Sequence, residues 1–429
     1  MNDRLDVLEG SVLIRDGRIA AVGPGAAREQ ADATLDAGGR YLLPGFVQTH
    51  VHLCQTLFRG YADDMPLLDW LRRRVWPMEA AHNEASLRAA TRLAAAELLR
   101  TGTTSVLTME TVHDTDVVFD ALEKTGLRAT VGKCMMDADA DVPARLRERT
   151  RESIRESEAL RRRWHGAAHG RLRAAFAPRF AVSCTRDLLE SVGELSKETG
   201  AIVHTHASES RDEVTVVRGL SGMDNIEYLA ATGLATERLC AAHCIWVDDR
   251  AQQILQERRV SVLHCPGSNL KLGSGIAPVP EMRARGISVS LGADGAACNN
   301  RLDMFDEMRL AATLQAMRRA PGALPARDVL WMATREGAHA LGLEQEIGSV
   351  ETGKRADLIL VDRDQPHLLP GIDPYSTLVY SARGTDVWAT FVEGHELVRE
   401  GHLVREDAAE VSAEARAQAA QLLARAAVV

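Results

Sequence analysis

Short apolar runs alternate with longer helical-period segments eight times between residues 46 and 293, and this alternation constrains the fold more than any other feature of the chain. The runs are Phe46 to His52, Thr103 to Met109, Ala129 to Lys133, Leu172 to Phe180, Ala201 to His206, Leu239 to His243, Val260 to Cys265 and Ile287 to Ala293. Each is short enough to be a strand buried on both faces, and each is followed by a segment long enough to cross over as a helix. Eight such units predict an α/β fold, a (β/α)8 TIM barrel. The 429 residues leave room for an accessory module. Ser11 to Arg15, an Asp16-Gly17 turn and Arg18 to Val22 read as a β-hairpin, and β-rich segments return at Ala356 to Val361, Val387 to Val392 and Glu396 to Arg399. Both chain ends are therefore expected to pair into one small β-sandwich domain. The expected division is 1–43 and 346–405 for that domain, 44–345 for the barrel and 406–429 for a terminal Ala-rich helix.

Barrel chemistry sits at the C-terminal ends of the strands. The first strand ends His50-Val51-His52, and because side chains alternate along a strand, both imidazoles point to one side. Two imidazoles are half a metal site. The fifth strand ends His204-Thr205-His206, with Glu209 three residues beyond; the sixth ends at His243; the eighth runs into Asp294. Four strand ends thus offer groups able to ligate a cation or carry a proton.

Charge and composition exclude several other roles. A net charge of -9 gives no footprint for nucleic acid or an anionic membrane, and no apolar run is long enough for a membrane span. Seven cysteines without regular spacing suggest reduced thiols in a cytoplasmic protein. Cys240-Ala-Ala-His-Cys244 has no second cysteine pair to make a zinc knuckle. Arg145 to Trp164 is dense in Arg and Glu and reads as a solvated helix, and Glu79 to Arg100 reads as a second helix ending at Thr101-Gly102.

With these residues in view, the chain resembles the amidohydrolase superfamily, in its branch of aminohydrolases acting on aromatic heterocycles. The likeness runs from about residue 10 to 405. It is strongest at Pro44 to Glu79, His204 to Glu213, Ala242 to Trp246, Asn269 to Gly275 and Gly292 to Asn300. The resemblance implies His50, His52, His206 and Asp294 as ligands of one divalent ion, Zn2+ by preference with Fe2+ or Mn2+ as alternatives. It favours His206 over His204 because Glu209 follows at the family's spacing. It makes Glu209 the proton-transfer group and His243, with Asp294, the catalytic neighbour of the activated water. The fourth strand ends Ala177-Pro178-Arg179-Phe180 without the lysine that bridges two ions in other members; Lys133 on the third strand is the alternative. His264 is expected to be a strand-end residue that either packs or supports a ligand from behind.

Substrate recognition divides two ways. Trp70 and Glu79 resemble nucleoside-holding residues of the S-adenosylhomocysteine, methylthioadenosine and 5′-deoxyadenosine deaminases, the Glu accepting from the ribose hydroxyls. Gln55, Arg179 and Phe180 resemble purine contacts of guanine deaminase, and Arg145 and Arg147 stand where a 5′ carboxylate would be met. The expectation is hydrolytic deamination of a 5′-modified adenosine. The alternatives are a guanine or 8-oxoguanine deaminase, a triazine-type chlorohydrolase and an inactive scaffold. A small-molecule substrate and a homo-oligomer are implied, and the strand that opens the small β domain in the family has no counterpart before the hairpin.

Overall fold

The structure is a computed structural model, and it describes residues 2, 4–138 and 142–426. Eight parallel strand positions form the barrel in chain order. They are Phe46–His52, Thr103–Met109, Arg128–Met135, Leu172–Pro178, Val203–Ala207, Leu239–His243, Ser261–His264 and an eighth in two pieces, Val289–Leu291 and Asp294–Gly295. Val289–Leu291 pairs with the seventh strand, whereas Asp294 and Gly295 pair with Val51 and His52 of the first, so the eighth closes the ring. The break between the pieces falls at Gly292. A Cβ there would stand 2.7 Å from the backbone of His50, so only glycine lets the two chains approach.

The crossover helices follow from their sequences. Arg186–Thr199 begins where the Thr185 hydroxyl accepts from Leu188 N at 3.2 Å and ends at Gly200, which takes the left-handed conformation at φ 71°. Its Leu188, Leu189, Val192 and Ser196 recur on a helical period and are buried, the three apolar ones against Val203 and Ala241 of the barrel wall. Truncating Leu189 to Ala would cost about 2–5 kcal/mol.

The helical expectations need two corrections. Glu79 to Arg100 is two helices, Trp76–Ala80 and Glu84–Arg100, because Asn83 caps the second through Ser86 N at 3.0 Å and halts the first. Arg145 and Arg147 are exposed in the loop preceding Thr150–Trp164 rather than within that helix. The terminal helix runs Ala408–Ala426, and residues 427–429 lie outside the described residues.

A five-stranded antiparallel sheet joins the chain ends, ordered His402–Leu403, His395–Arg399, Val387–Val392, Leu358–Val361, Tyr41–Pro44. The N-terminal contribution to it is Tyr41–Pro44, not the hairpin. The hairpin, Ser11–Arg15 with Arg18–Gly23, is its own two-stranded sheet and meets the C-terminal part through Gly353 N to Ile19 O and Ala356 N to Gly17 O. Tyr41–Pro44 is four residues long and runs through Gly45 straight into the first barrel strand, which hid it as a separate element. Among the described residues no helix is long and apolar enough to cross a membrane.

Candidate metal centre and active site

His50, His52, His206 and Asp294 converge at the mouth of the barrel, their ligand atoms all within 4.8 Å of one another. Each imidazole is oriented from behind. His52 Nδ1 donates to Met109 O and His206 Nδ1 to Arg179 O, both at 2.7 Å. Both Nε2 atoms are then bare, yet they face each other at 3.3 Å. His50 Nδ1 lies 2.6 Å from His204 Nε2, and His50 Nε2 is buried without a hydrogen-bond partner. Asp294 Oδ1 stands 3.3 Å from His50 Nε2 and 3.2 Å from His52 Nε2.

Lone pairs crowded around one point with a carboxylate are repulsive unless a cation sits among them. Three neutral imidazoles and one carboxylate, each oriented by a further hydrogen bond, fit a divalent ion. Burial, aided by His50 and His52, holds the His206 imidazole well below its ordinary value, and burial takes His50 to about 4. Burial also opposes a proton on His52, but Asp294 beside it raises that imidazole above its ordinary value, the place a cation would take. Burial alone would raise Asp294, but His50 and His52 hold its carboxyl well below the usual range.

Two further groups flank the cluster. His243 Nε2 lies 3.6 Å from Glu209 Oε2 and 3.8 Å from Asp294 Oδ2, and neither His243 Nε2 nor Glu209 Oε1 has a hydrogen-bond partner. Burial first, then the charges of Asp294 and Glu213, push the Glu209 carboxyl well above its ordinary value. His243 and Asp294 both adopt left-handed backbone, φ 71° and 63°, an unfavourable conformation for non-glycine residues that concentrates at functional sites.

This centre opens into a cavity of about 20 Å3, lined on one side by its own His52, His206, Glu209 and Asp294 and on the other by Gln55, Trp70, Arg179 and Phe180 together with Leu67, Leu71 and Leu272. Glu79 is not in the lining. It sits behind Arg179 and Gln55, accepting from Arg179 Nη1 at 2.5 Å, Arg179 Nη2 at 3.2 Å and Gln55 Nε2 at 3.0 Å. Lys133 is outside the cluster, bonded to Cys134 O and Glu148 Oε1. His264 is fully buried, as expected of a packing residue, and burial takes it to about 3. All seven cysteines are buried and free. The sequence reading gave no role to His204 as the partner of His50, or to Ser268 and Asn269, which touch Asp294 and His243; the signals available were the His204-Thr205-His206 alternation and the stretch beginning at Asn269.

A parallel barrel carrying a His-His-His-Asp cluster at its C-terminal face defines a metal-dependent hydrolase. The amidohydrolase family model matches residues 41–397. The 5′-deoxyadenosine deaminase of Methanosarcina mazei is 40% identical over 99% of this chain and 96% of its own length. The 5-methylthioadenosine/S-adenosylhomocysteine deaminase of Moorella thermoacetica is 40% identical over 95% and 94%. Among solved structures, an adenosine deaminase from Xanthomonas campestris with bound zinc superposes with a TM-score of 0.91 at 34% identity, covering 96% of this chain and 93% of that one. The chain belongs to the amidohydrolase family.

Proposed function

We propose that the protein is a zinc-dependent hydrolytic deaminase of a 5′-modified adenosine, releasing ammonia and the inosine analogue. The observation that carries this reading is the unpartnered Glu209 carboxyl beside His243 and the four-ligand cluster. A divalent ion held by His50, His52, His206 and Asp294 supplies acidity to a coordinated water near neutral pH.

The protein's own groups do the rest. Glu209 in its ionised form takes a proton from the attacking water, and because burial raises its proton affinity it holds that proton until it delivers it to the purine ring nitrogen next to the amine-bearing carbon. Asp294 and His243, at 3.8 Å from one another, orient the attacking water beside Glu209. Glu209, ionised again, then takes the second proton from the newly added hydroxyl and passes it to the departing amine, which leaves as ammonia as the C–N bond breaks. Burial of all three keeps bulk water from competing.

The relatives' names support adenosine, and the cavity supports an apolar 5′ group. Leu67, Trp70, Leu71, Phe180 and Leu272 line it, and its one cation, Arg179, is neutralised by Glu79. Glu79 takes two of the five Arg179 N–H donors and neutralises its charge, so preference for adenosine over guanine rests on the relatives rather than on this pair. Glu79 accepts from three donors and stands behind Arg179 and Gln55, so a direct bond to a ribose hydroxyl needs these two to shift as the nucleoside enters. The cavity as it stands has room for about one water, so a nucleoside enters only if the wall around it moves. The direct test is the ultraviolet change from adenine to hypoxanthine chromophore when zinc-loaded protein meets 5′-deoxyadenosine. No change with any adenosine would overturn the reading.

A further inference from the structure

The proposed catalytic pair is held from behind by a turn outside the ligand set. After the seventh strand the chain passes through Cys265 into a one-turn helix, Pro266–Lys271. From it Ser268 Oγ donates to Asp294 Oδ2 at 2.7 Å, and Asn269 Oδ1 lies 2.8 Å from His243 Nδ1. Both side chains are buried. An amide oxygen only accepts, so the hydrogen in this contact belongs to His243 Nδ1. A neutral imidazole carries one such hydrogen, which leaves Nε2 a bare acceptor on the side of Glu209 and Asp294.

The turn is anchored in its own right. Glu307, fully buried in the first turn of helix Met304–Arg318, accepts from Gly267 N at 3.0 Å and from Asn299 Nδ2 at 2.7 Å. Asn299 Nδ2 also donates to Ala293 O at 2.7 Å, immediately before Asp294. One carboxylate thus joins the segment bearing Ser268 and Asn269 to the segment bearing Asp294. The fit leaves no slack, since a Cβ on Gly267 would lie 2.4 Å from Glu307 Oε1 and 2.8 Å from Asn299.

We infer that Asn269 and Ser268, locked in place by Glu307, are positioning residues: Asn269 fixes His243 as the Nδ1–H tautomer, and Ser268 fixes the rotation of the Asp294 carboxylate so that Oδ1 faces His50 and His52. The kinetic consequence rests on the deaminase reading, but the tautomer does not. Imidazole 15N spectra of metal-free and zinc-loaded protein read it directly, with His243→Gln assigning the signal. The expected result is hydrogen on Nδ1 in the wild type and in Asn269→Asp, which keeps the accepting oxygen, and on Nε2 in Asn269→Ala. In turnover, Asn269→Ala lowers kcat about 10- to 100-fold at unchanged metal content, and Asn269→Asp recovers most of it. Ser268→Ala lowers kcat while leaving the His243 tautomer intact, and it carries the test if Asn269→Ala does not fold. Hydrogen on Nε2 in the wild type, wild-type kcat in Asn269→Ala, or equal impairment of the Asp and Ala variants would each overturn the inference. Absence of turnover on every adenosine would remove the functional reading while the spectra still decide the tautomer.

Discussion

Glu79 and Arg179 form a two-point ion pair beside the candidate active site, with Nη1 to Oε2 at 2.5 Å and Nη2 to Oε1 at 3.2 Å. Both side chains are almost wholly buried, 1% and 4% exposed, so neither charge has water to fall back on. Removing one partner strands the other, a loss of about 3–5 kcal/mol. Glu79→Ala should therefore lower unfolding free energy by that amount in urea titrations and should damage kcat/KM for nucleosides far more than for free bases. A loss below about 1 kcal/mol would mean that the pair does not hold this wall together.

Glu209 stands apart from the ligand cluster in the proposed mechanism. Glu209→Gln should retain the ion, as measured by elemental analysis, and lose about 10²- to 10⁴-fold in kcat. Undiminished turnover would remove its proton-transfer role.

The cluster itself is tested by metal content. Wild-type protein should hold about one divalent ion per chain, and Asp294→Ala should lose both the ion and the activity. Chelation should lower the melting temperature and readdition of zinc restore it, since an ion bound only to the folded state at 100 times its Kd contributes about 2.7 kcal/mol. Stoichiometric binding by Asp294→Ala would place the ion elsewhere.

The barrel was legible because its strands are buried on both faces and read as uninterrupted apolar runs. His50, His52, His206, Glu209, His243 and Asp294 stood out because they lie at or just beyond strand ends, whereas the choice of His206 over His204 and the roles of Glu209 and His243 came from the family resemblance. What surrounds them was not legible. That Arg179 would meet Glu79, 100 residues away, depends on how the wall from Leu67 to Ala80 folds back over the fourth strand, and no local pattern encodes that. Tyr41–Pro44 was missed for a related reason: its partner, Leu358–Val361, lies at the other end of the chain.

Glu307 gives a pH dependence with a definite sign. Burial raises its carboxyl from 4.5 to about 8, against the opposing effect of the Gly267 and Asn299 hydrogen bonds. The folded state therefore keeps a proton that the unfolded chain releases, and this contribution to stability falls as pH rises from about 4.5 to about 8. Glu307→Gln lacks the titration, so its stability relative to the wild type should improve across that window in urea midpoints. A constant difference at all pH values would contradict the shift.

The central claim is the identity of the substrate, and initial rates of ammonia release by zinc-loaded protein test it most directly. The panel is 5′-deoxyadenosine, methylthioadenosine, S-adenosylhomocysteine, adenosine, guanine, 8-oxoguanine and a chlorotriazine. The predicted result is turnover confined to the adenosines, with 5′-deoxyadenosine and methylthioadenosine above S-adenosylhomocysteine because the cavity wall is apolar and its cation already paired. Turnover of guanine with none of the adenosines would contradict it and would mean that Gln55, Arg179 and Phe180 select the base.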